Sequence, residues 1–136
     1  MSNASMGSRF ERDICNDLYR RGWYVINIPR NGMGQQPVDL IAVKQDEVLF
    51  ADCKVCSGTG FVFERIEENQ RQSMRLFDTR TSHLPFFIIR LPEGDVYVIY
   101  YCVFEQMEAQ GFRRMRNSEI RRYGIPWETF MEDYLK

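Results

Sequence analysis

A chain of 136 residues, 44% of them apolar, fits one domain with a real packed core. No run approaches the roughly eighteen consecutive apolar residues of a transmembrane helix, and the first residues lack the basic and apolar regions of a signal peptide. A net charge of −1 does not by itself announce a nucleic-acid binder, so the distribution of charge has to speak instead. Residues 1–6 read as a cloning remnant or disordered start, with Met6 as the native start, ahead of a single domain over residues 7–136. From Gly7 to Arg21, Phe10, Ile14 and Leu18 recur every fourth residue, which predicts an amphipathic helix ended by Gly22. Residues 23–28 read as a strand and 29–37 as a glycine-containing loop. Val38 to Val43 and Val48 to Val55 read as two strands joined as a hairpin. A loop containing Gly58 and Gly60 leads to a helix over about residues 66–80. Phe86 to Leu91 and Val96 to Tyr101 are two further strands, and the chain closes in short helices over residues 103–109, 118–123 and 127–134. This order predicts an α/β fold, a mixed sheet of about five strands flanked by helices.

Carboxylates interrupt two of the apolar strands. Asp39 is the one charge in its strand, and Asp52 and Lys54, two apart, must share a face of theirs. If the two strands are hairpin neighbours, Asp39 and Asp52 converge at one end of the sheet. Two acids and a lysine in an apolar setting are costly to bury without a metal or mutual pairing. Phosphodiester hydrolysis uses such a set: hard oxygen ligands hold Mg2+, which neutralises the phosphate and lowers the pKa of the attacking water. Asp39, Asp52 and the backbone carbonyl of Cys53 would be the ligands, with Lys54 over the water and the scissile phosphate. Read on spacing alone, an ordinary strand ion pair between Asp52 and Lys54 explains the pattern as well. Glu11 flanks the apolar stripe of the first helix, and Gln70 lies within the apolar face of the second, where a buried amide needs a partner.

Only Lys44, Lys54 and Lys136 are lysines, so fifteen of the eighteen basic residues are arginine, the side chain suited to bidentate phosphate contacts. Five of them crowd into ten positions: Arg113, Arg114, Arg116, Arg121 and Arg122. A solvated helical face and a phosphate-binding face fit this run equally well. Arg113, Arg114 and Arg116, together with Arg30 and Asn31 of the 29–37 loop, are the candidate DNA contacts. Cys15, Cys53, Cys56 and Cys102 have no disulfide or complete zinc spacing, which favours reduced thiols in a cytoplasmic setting. His83, the lone histidine, reads as a loop residue, and Phe61, Phe63, Phe77, Phe86 and Phe87 read as core.

At this point the chain resembles the PD-(D/E)XK nucleases, and within them the RecU-like and archaeal Hjc-like Holliday junction resolvases. The resemblance runs over about residues 7–125. It rests on Gly7-Ser8-Arg9-Phe10-Glu11-Arg12, Gly22-Trp23-Tyr24-Val25 and the loop Arg30-Asn31-Gly32-Met33-Gly34. It continues through Pro37-Val38-Asp39-Leu40-Ile41-Ala42, Asp52-Cys53-Lys54, Glu68-Asn69-Gln70, Phe86-Phe87-Ile88-Ile89-Arg90 and the tail Arg116-Asn117-Ser118-Glu119-Ile120 before Tyr123-Gly124-Ile125-Pro126. The resemblance implies a restriction-endonuclease-like core and a metal and phosphate site of Glu11, Asp39, Asp52 and Lys54, supported by Gln70. It further implies Mg2+, with Mn2+ as a substitute, and a homodimer that nicks four-way DNA junctions. Two departures stand out. The second acid is Asp52 where the family usually has glutamate, and the 29–37 loop is too short for the stalk of RecU proteins. The alternatives are a less selective nuclease of the same superfamily, a DNA-binding module without catalysis, and a structural or protein-interaction domain.

Overall fold

The computed structural model describes residues 3–29 and 36–134. Helix α1 (Asn3–Arg20) comes first, then strands β1 (Tyr24–Asn27), β2 (Leu40–Lys44), β3 (Glu47–Val55) and β4 (Gly60–Val62). Helix α2 (Glu68–Arg80), strands β5 (Phe86–Arg90) and β6 (Val96–Tyr100) and helix α3 (Tyr101–Ala109) follow. Strand β7 (Arg114–Arg116), helix α4 (Asn117–Tyr123), strand β8 (Ile125–Pro126) and a short helix α5 (Trp127–Thr129) close the chain, α5 running on into one wide turn over Phe130–Tyr134. The main sheet has the order β1-β2-β3-β5-β6-β8. All its pairings are antiparallel except β3 with β5, whose parallel register needs the crossover that α2 supplies.

Alternation along the central strands sorts side chains into two cores. Leu49, Ala51 and Cys53 of β3 point to the layer formed by α1 and the C-terminal turn, together with Phe10, Ile14, Leu18, Trp127 and Phe130. Phe50 of β3 and Phe87 and Ile89 of β5 point to the opposite layer, where Met74, Tyr101, Phe104 and Ile120 meet them. The four-residue spacing of Phe10, Ile14 and Leu18 thus does what its period predicts. Gly22, at φ +91°, ends α1. Its N–H donates to the Tyr19 carbonyl at 3.0 Å while the Trp23 N–H reaches the Leu18 carbonyl at 3.0 Å, the paired bonds of a Schellman cap.

The structure bears out the expected mixed sheet; among the described residues it has six strands, one beyond the five read from sequence, the sixth being the two residues of β8 against Tyr97 and Val98 of β6. Pro126 is tolerated there because β8 is an edge strand with a free side. A separate two-stranded ribbon, β4 with β7, was not foreseen: each strand has three residues and turns one apolar side chain inward, Phe61 or Met115, too little alternation to read. Helix α1 begins at Asn3, so residues 3–6, expected to precede the fold, are helical.

The C-terminal turn is fastened to α1 through Asp17. Its carboxylate accepts from Trp127 Nε1 and from Arg21 Nε, each at 2.8 Å. Burial pushes the Asp17 carboxyl up, but the bonds from Trp127 and Arg21 outweigh burial and leave it below the ordinary carboxylate range. A depressed folded pKa contributes stability that is complete above the unfolded value of about 4 and is lost as pH falls through the folded value. Acidification from pH 5 downward is therefore expected to change Trp127 fluorescence as this tie releases. Asp17→Asn is expected to remove that phase and to cost about 1–2 kcal/mol at pH 7. An unchanged acid profile in the variant would mean the tail is held by packing alone.

Candidate active site

The register of β2 on β3 pairs Leu40 with Ala51. One step further out, the antiparallel register sets Asp39 across from Asp52, so the two acids meet although twelve residues separate them. Asp39 lies one residue before β2 rather than inside it, and its backbone is anchored by the Ile28 N–H on its carbonyl at 2.9 Å. Its Oδ2 accepts the Cys53 backbone N–H at 2.8 Å. Both acids are withdrawn from water, Asp39 at 2% exposure and Asp52 at 0%.

Lys54 shares the face of Asp52, as the two-residue strand period requires, and its Nζ lies 2.9 Å from Asp52 Oδ2. Gln70, in the first turn of α2, joins the two. Its Nε2 donates to Asp52 Oδ1 at 3.1 Å, and its Oε1 accepts from Lys54 Nζ at 3.3 Å and from the Glu67 N–H at 3.4 Å. The amide orientation is therefore set from both ends: reversal would put an NH2 group against the lysine ammonium. Glu11, half-buried on α1, approaches from the other layer, close enough for its charge to act on Asp39. Burial first, then the Asp52 charge and a hydrogen bond with Asp52, and then Glu11, push the Asp39 carboxyl up to about 8, against the opposing Cys53 N–H.

Two adjoining buried carboxylates repel unless a proton or a cation lies between them. Their oxygens are hard donors of the kind that hold Mg2+ or Mn2+, and the Cys53 peptide lies beside them. Among the described residues no three His, Cys, Asp or Glu side chains close around one point. An ion here would draw direct ligands from the aspartate pair and a backbone carbonyl, with water completing the shell. The residues present fit such an ion. Cys53 itself is a neutral thiol, its pKa driven upward by burial and by the neighbouring acids.

All five residues singled out for chemistry from sequence, Glu11, Asp39, Asp52, Lys54 and Gln70, come to this end of the sheet. Arg30 and Asn31 lie outside the described residues. Arg113, Arg114 and Arg116 are exposed on or beside β7, not on a helix. Arg65 was not anticipated: it sits one turn before α2, and its Nη1 donates to the Val55 carbonyl at 3.1 Å, one residue beyond Lys54. An arginine in Phe63-Glu64-Arg65 gave no periodic signal to mark it. The four cysteines are free thiols, as expected, and Cys15 accepts a bond from Asn27 Nδ2 at 3.3 Å. Of the five phenylalanines expected in the core, four are buried and Phe77 is half-buried, stacked on Phe50 at 4.3 Å. A cleft of about 500 Å³ lined by Arg21, Trp23, Lys44 and Met131 lies beside the β2–β3 turn, at the far end of β3 from the acids. Its size is no argument for chemistry, since a long polyanion is met on an open face. No helix among the described residues is long and apolar enough to cross a membrane.

Comparison with known proteins bears on the family and the fold. A curated relative, the crossover junction endodeoxyribonuclease Hjc of Sulfurisphaera tokodaii, is 27% identical over 130 residues, covering 94% of this chain and 81% of the relative. The solved structure of Archaeoglobus fulgidus Hjc, a Holliday junction resolvase from an archaeal hyperthermophile, superposes with a TM-score of 0.64. That match covers 88% of this chain and 93% of the other at 17% identity, a likeness of fold. The family model described as archaeal Holliday junction resolvase (Hjc) matches residues 2–134, nearly the whole chain. With its mixed sheet and its β2–β3 hairpin accounted for, the chain belongs to the archaeal Holliday junction resolvase (Hjc) family.

Proposed function

We propose that this protein is a metal-dependent endodeoxyribonuclease that resolves four-way DNA junctions during recombination. The observation that carries the proposal is the meeting of Asp39 and Asp52 across the β2–β3 hairpin, with Lys54 and Gln70 locked to Asp52 on the same face. Asp39, Asp52 and the Cys53 carbonyl would hold Mg2+, or Mn2+ in its place, and the ion would supply charge neutralisation of the phosphate and a more acidic water. The remaining work falls to the chain. Lys54 presents an ammonium, positioned by Asp52 and Gln70, to the charge that develops on the phosphate. The Cys53 N–H fixes the Asp39 carboxylate, and Glu11 adds negative charge from α1 that favours a cation in the cluster. A homodimer would set two such sites on opposed strands of a twofold junction. Free cysteines suit a cytoplasmic compartment.

The test is cleavage of a synthetic four-way junction with and without Mg2+, beside linear duplex and flap substrates. The expected result is paired nicks in the junction that vanish with EDTA, and at least about tenfold slower cutting of linear duplex, a difference of about 1.4 kcal/mol in barrier. Equal cutting of all substrates would favour a less selective nuclease. No cutting with either Mg2+ or Mn2+ would leave a DNA-binding module.

A further inference from the structure

The five arginines of residues 113–122 are divided by the fold. Arg121 is neutralised within the chain, its Nε 2.9 Å from Asp95 Oδ2 and its Nη2 against Glu93. Arg122 lies over the ring of Tyr123 at 5.4 Å. Arg113, Arg114 and Arg116 form no ion pair among the described residues. Arg114 Nη1 reaches only the neutral Thr59 Oγ1 at 3.5 Å. Of the acids around them, Glu119 is engaged by the Arg116 backbone N–H at 3.0 Å and Glu108 by Arg71, while Glu64 lines the cleft that Arg113 borders. Three cations within four residues repel one another, and a polyanion laid across them relieves that repulsion.

Their arrangement suits a regular array of phosphates. Met115 is fully buried while Arg114 and Arg116 on either side are exposed. Two apart on one strand, they project from the same face with roots roughly 6–7 Å from each other. Opposite them stand Val62 and Gly60. At Gly60, where φ is +147°, a Cβ would come within 2.4 Å of the Met115 carbonyl, so glycine permits the close strand contact that seats the ribbon. Phe61 on the inner side packs against Phe87 and Phe104, which makes the platform rigid.

The ribbon is also continuous with the candidate site. Arg65 holds the Val55 carbonyl next to Lys54, and the Phe63 N–H donates to the Arg113 carbonyl at 3.0 Å. The Arg65 side chain and, two residues earlier, the Phe63 N–H thus link the end of β3 to Arg113. Phe61 and Phe63 face inward, so among the described residues Phe112 is the one exposed ring in the shallow cleft it forms with Arg113, Arg114 and Arg116, and the surface lacks the row of stacking rings that single strands use. We propose that the β4–β7 ribbon is a second DNA contact, gripping the sugar-phosphate backbone of a duplex arm through Arg113, Arg114 and Arg116. It rests on the nuclease reading above and extends it from the cut phosphate to the arm beside it. Such contacts position the duplex and carry no sequence preference.

The experiment compares wild type, the triple variant R113Q/R114Q/R116Q and R121Q. Binding to a four-way junction and to linear duplex is followed by fluorescence anisotropy in metal-free buffer over a range of salt. The triple variant is expected to bind both DNAs about 10–100-fold more weakly at physiological salt, with the slope of log K against log salt shallower by about 2–3. R121Q, whose charge is already paired, is expected to stay within about twofold of wild type. The triple variant is expected to keep the wild-type thermal midpoint, because its three arginines are exposed. An unchanged slope, a deficit confined to single strands, or equal weakening by R121Q would overturn the assignment. Junction cleavage by wild type separates the two readings: cleavage with unaltered binding by the triple variant sinks the ribbon alone. A wild type that neither cuts nor binds sinks both.

Discussion

Asp39→Asn is expected to abolish junction cleavage and, in the same protein, to raise the thermal midpoint of the metal-free form. The substitution keeps the side-chain volume and an oxygen to accept the Cys53 N–H that now lies 2.8 Å from Oδ2. What it removes is one of two carboxylates held together at 2% and 0% exposure, with Glu11 adding a third negative charge nearby. Without a cation the cluster relieves its repulsion near neutral pH only by taking a proton onto Asp39, whose carboxyl is pushed up to about 8, and an amide that needs no proton is expected to stabilise the fold by on the order of 1–2 kcal/mol. For a chain of this size the shift is roughly 3–8 °C. Cleavage is expected to fall by about 10³-fold or more, because the carboxylate proposed to hold the ion is lost. Single-turnover cleavage and thermal unfolding in EDTA measure the two halves. Retention of near-wild-type cleavage would remove Asp39 from the chemistry, and a lower midpoint would mean that the acids are held by attraction rather than strained by repulsion.

Lys54→Ala is also expected to damage cleavage severely but to act in the opposite direction on stability. The Lys54 ammonium is the countercharge of Asp52, which has no exposure at all, and its removal leaves that carboxylate with no cation, only the Gln70 amide and the Asp39 carboxyl. Stranding a buried charge in this way costs about 2–4 kcal/mol. Cleavage is expected to drop about 10²–10³-fold, since the ammonium proposed to face the scissile phosphate disappears. Lys54→Arg separates the two roles: the ion pair and most of the stability should return. The planar guanidinium cannot place its charge where the compact ammonium stood, so activity should remain low. If the arginine variant cut normally, Lys54 would be a structural countercharge only. A raised midpoint would also show that lost cleavage in Asp39→Asn is not a consequence of unfolding, and the restored stability of Lys54→Arg supplies that control at Lys54.

These two aspartates show how far the primary structure reaches. Asp52 and Lys54 could be placed on one face because strand periodicity is local, and Asp39 could be aimed at Asp52 because a short hairpin leaves little choice of register. Gln70 was legible as a polar residue inside an apolar stripe, a conflict that a buried partner resolves. Arg65 and the ribbon were not legible. The three residues of β4 and of β7 bury one side chain each, and their pairing bridges more than fifty residues of chain, so no local pattern records it. The arginine run in sequence is one cluster; in space Arg121 turns to Asp95 and Glu93 on the β5–β6 turn, while Arg113, Arg114 and Arg116 face outward.

The amino-acid order alone determined the element types, the two-layer burial of the central strands and the acids that interrupt them, since each follows from side-chain period over a few residues. Tertiary structure alone decided that Glu11 and Gln70 reach the same acids from opposite layers, that β8 and the β4–β7 ribbon exist, and which arginines remain unpaired. Those outcomes depend on distant segments packing against one another, and the free energy of that packing is written in no single window of the chain.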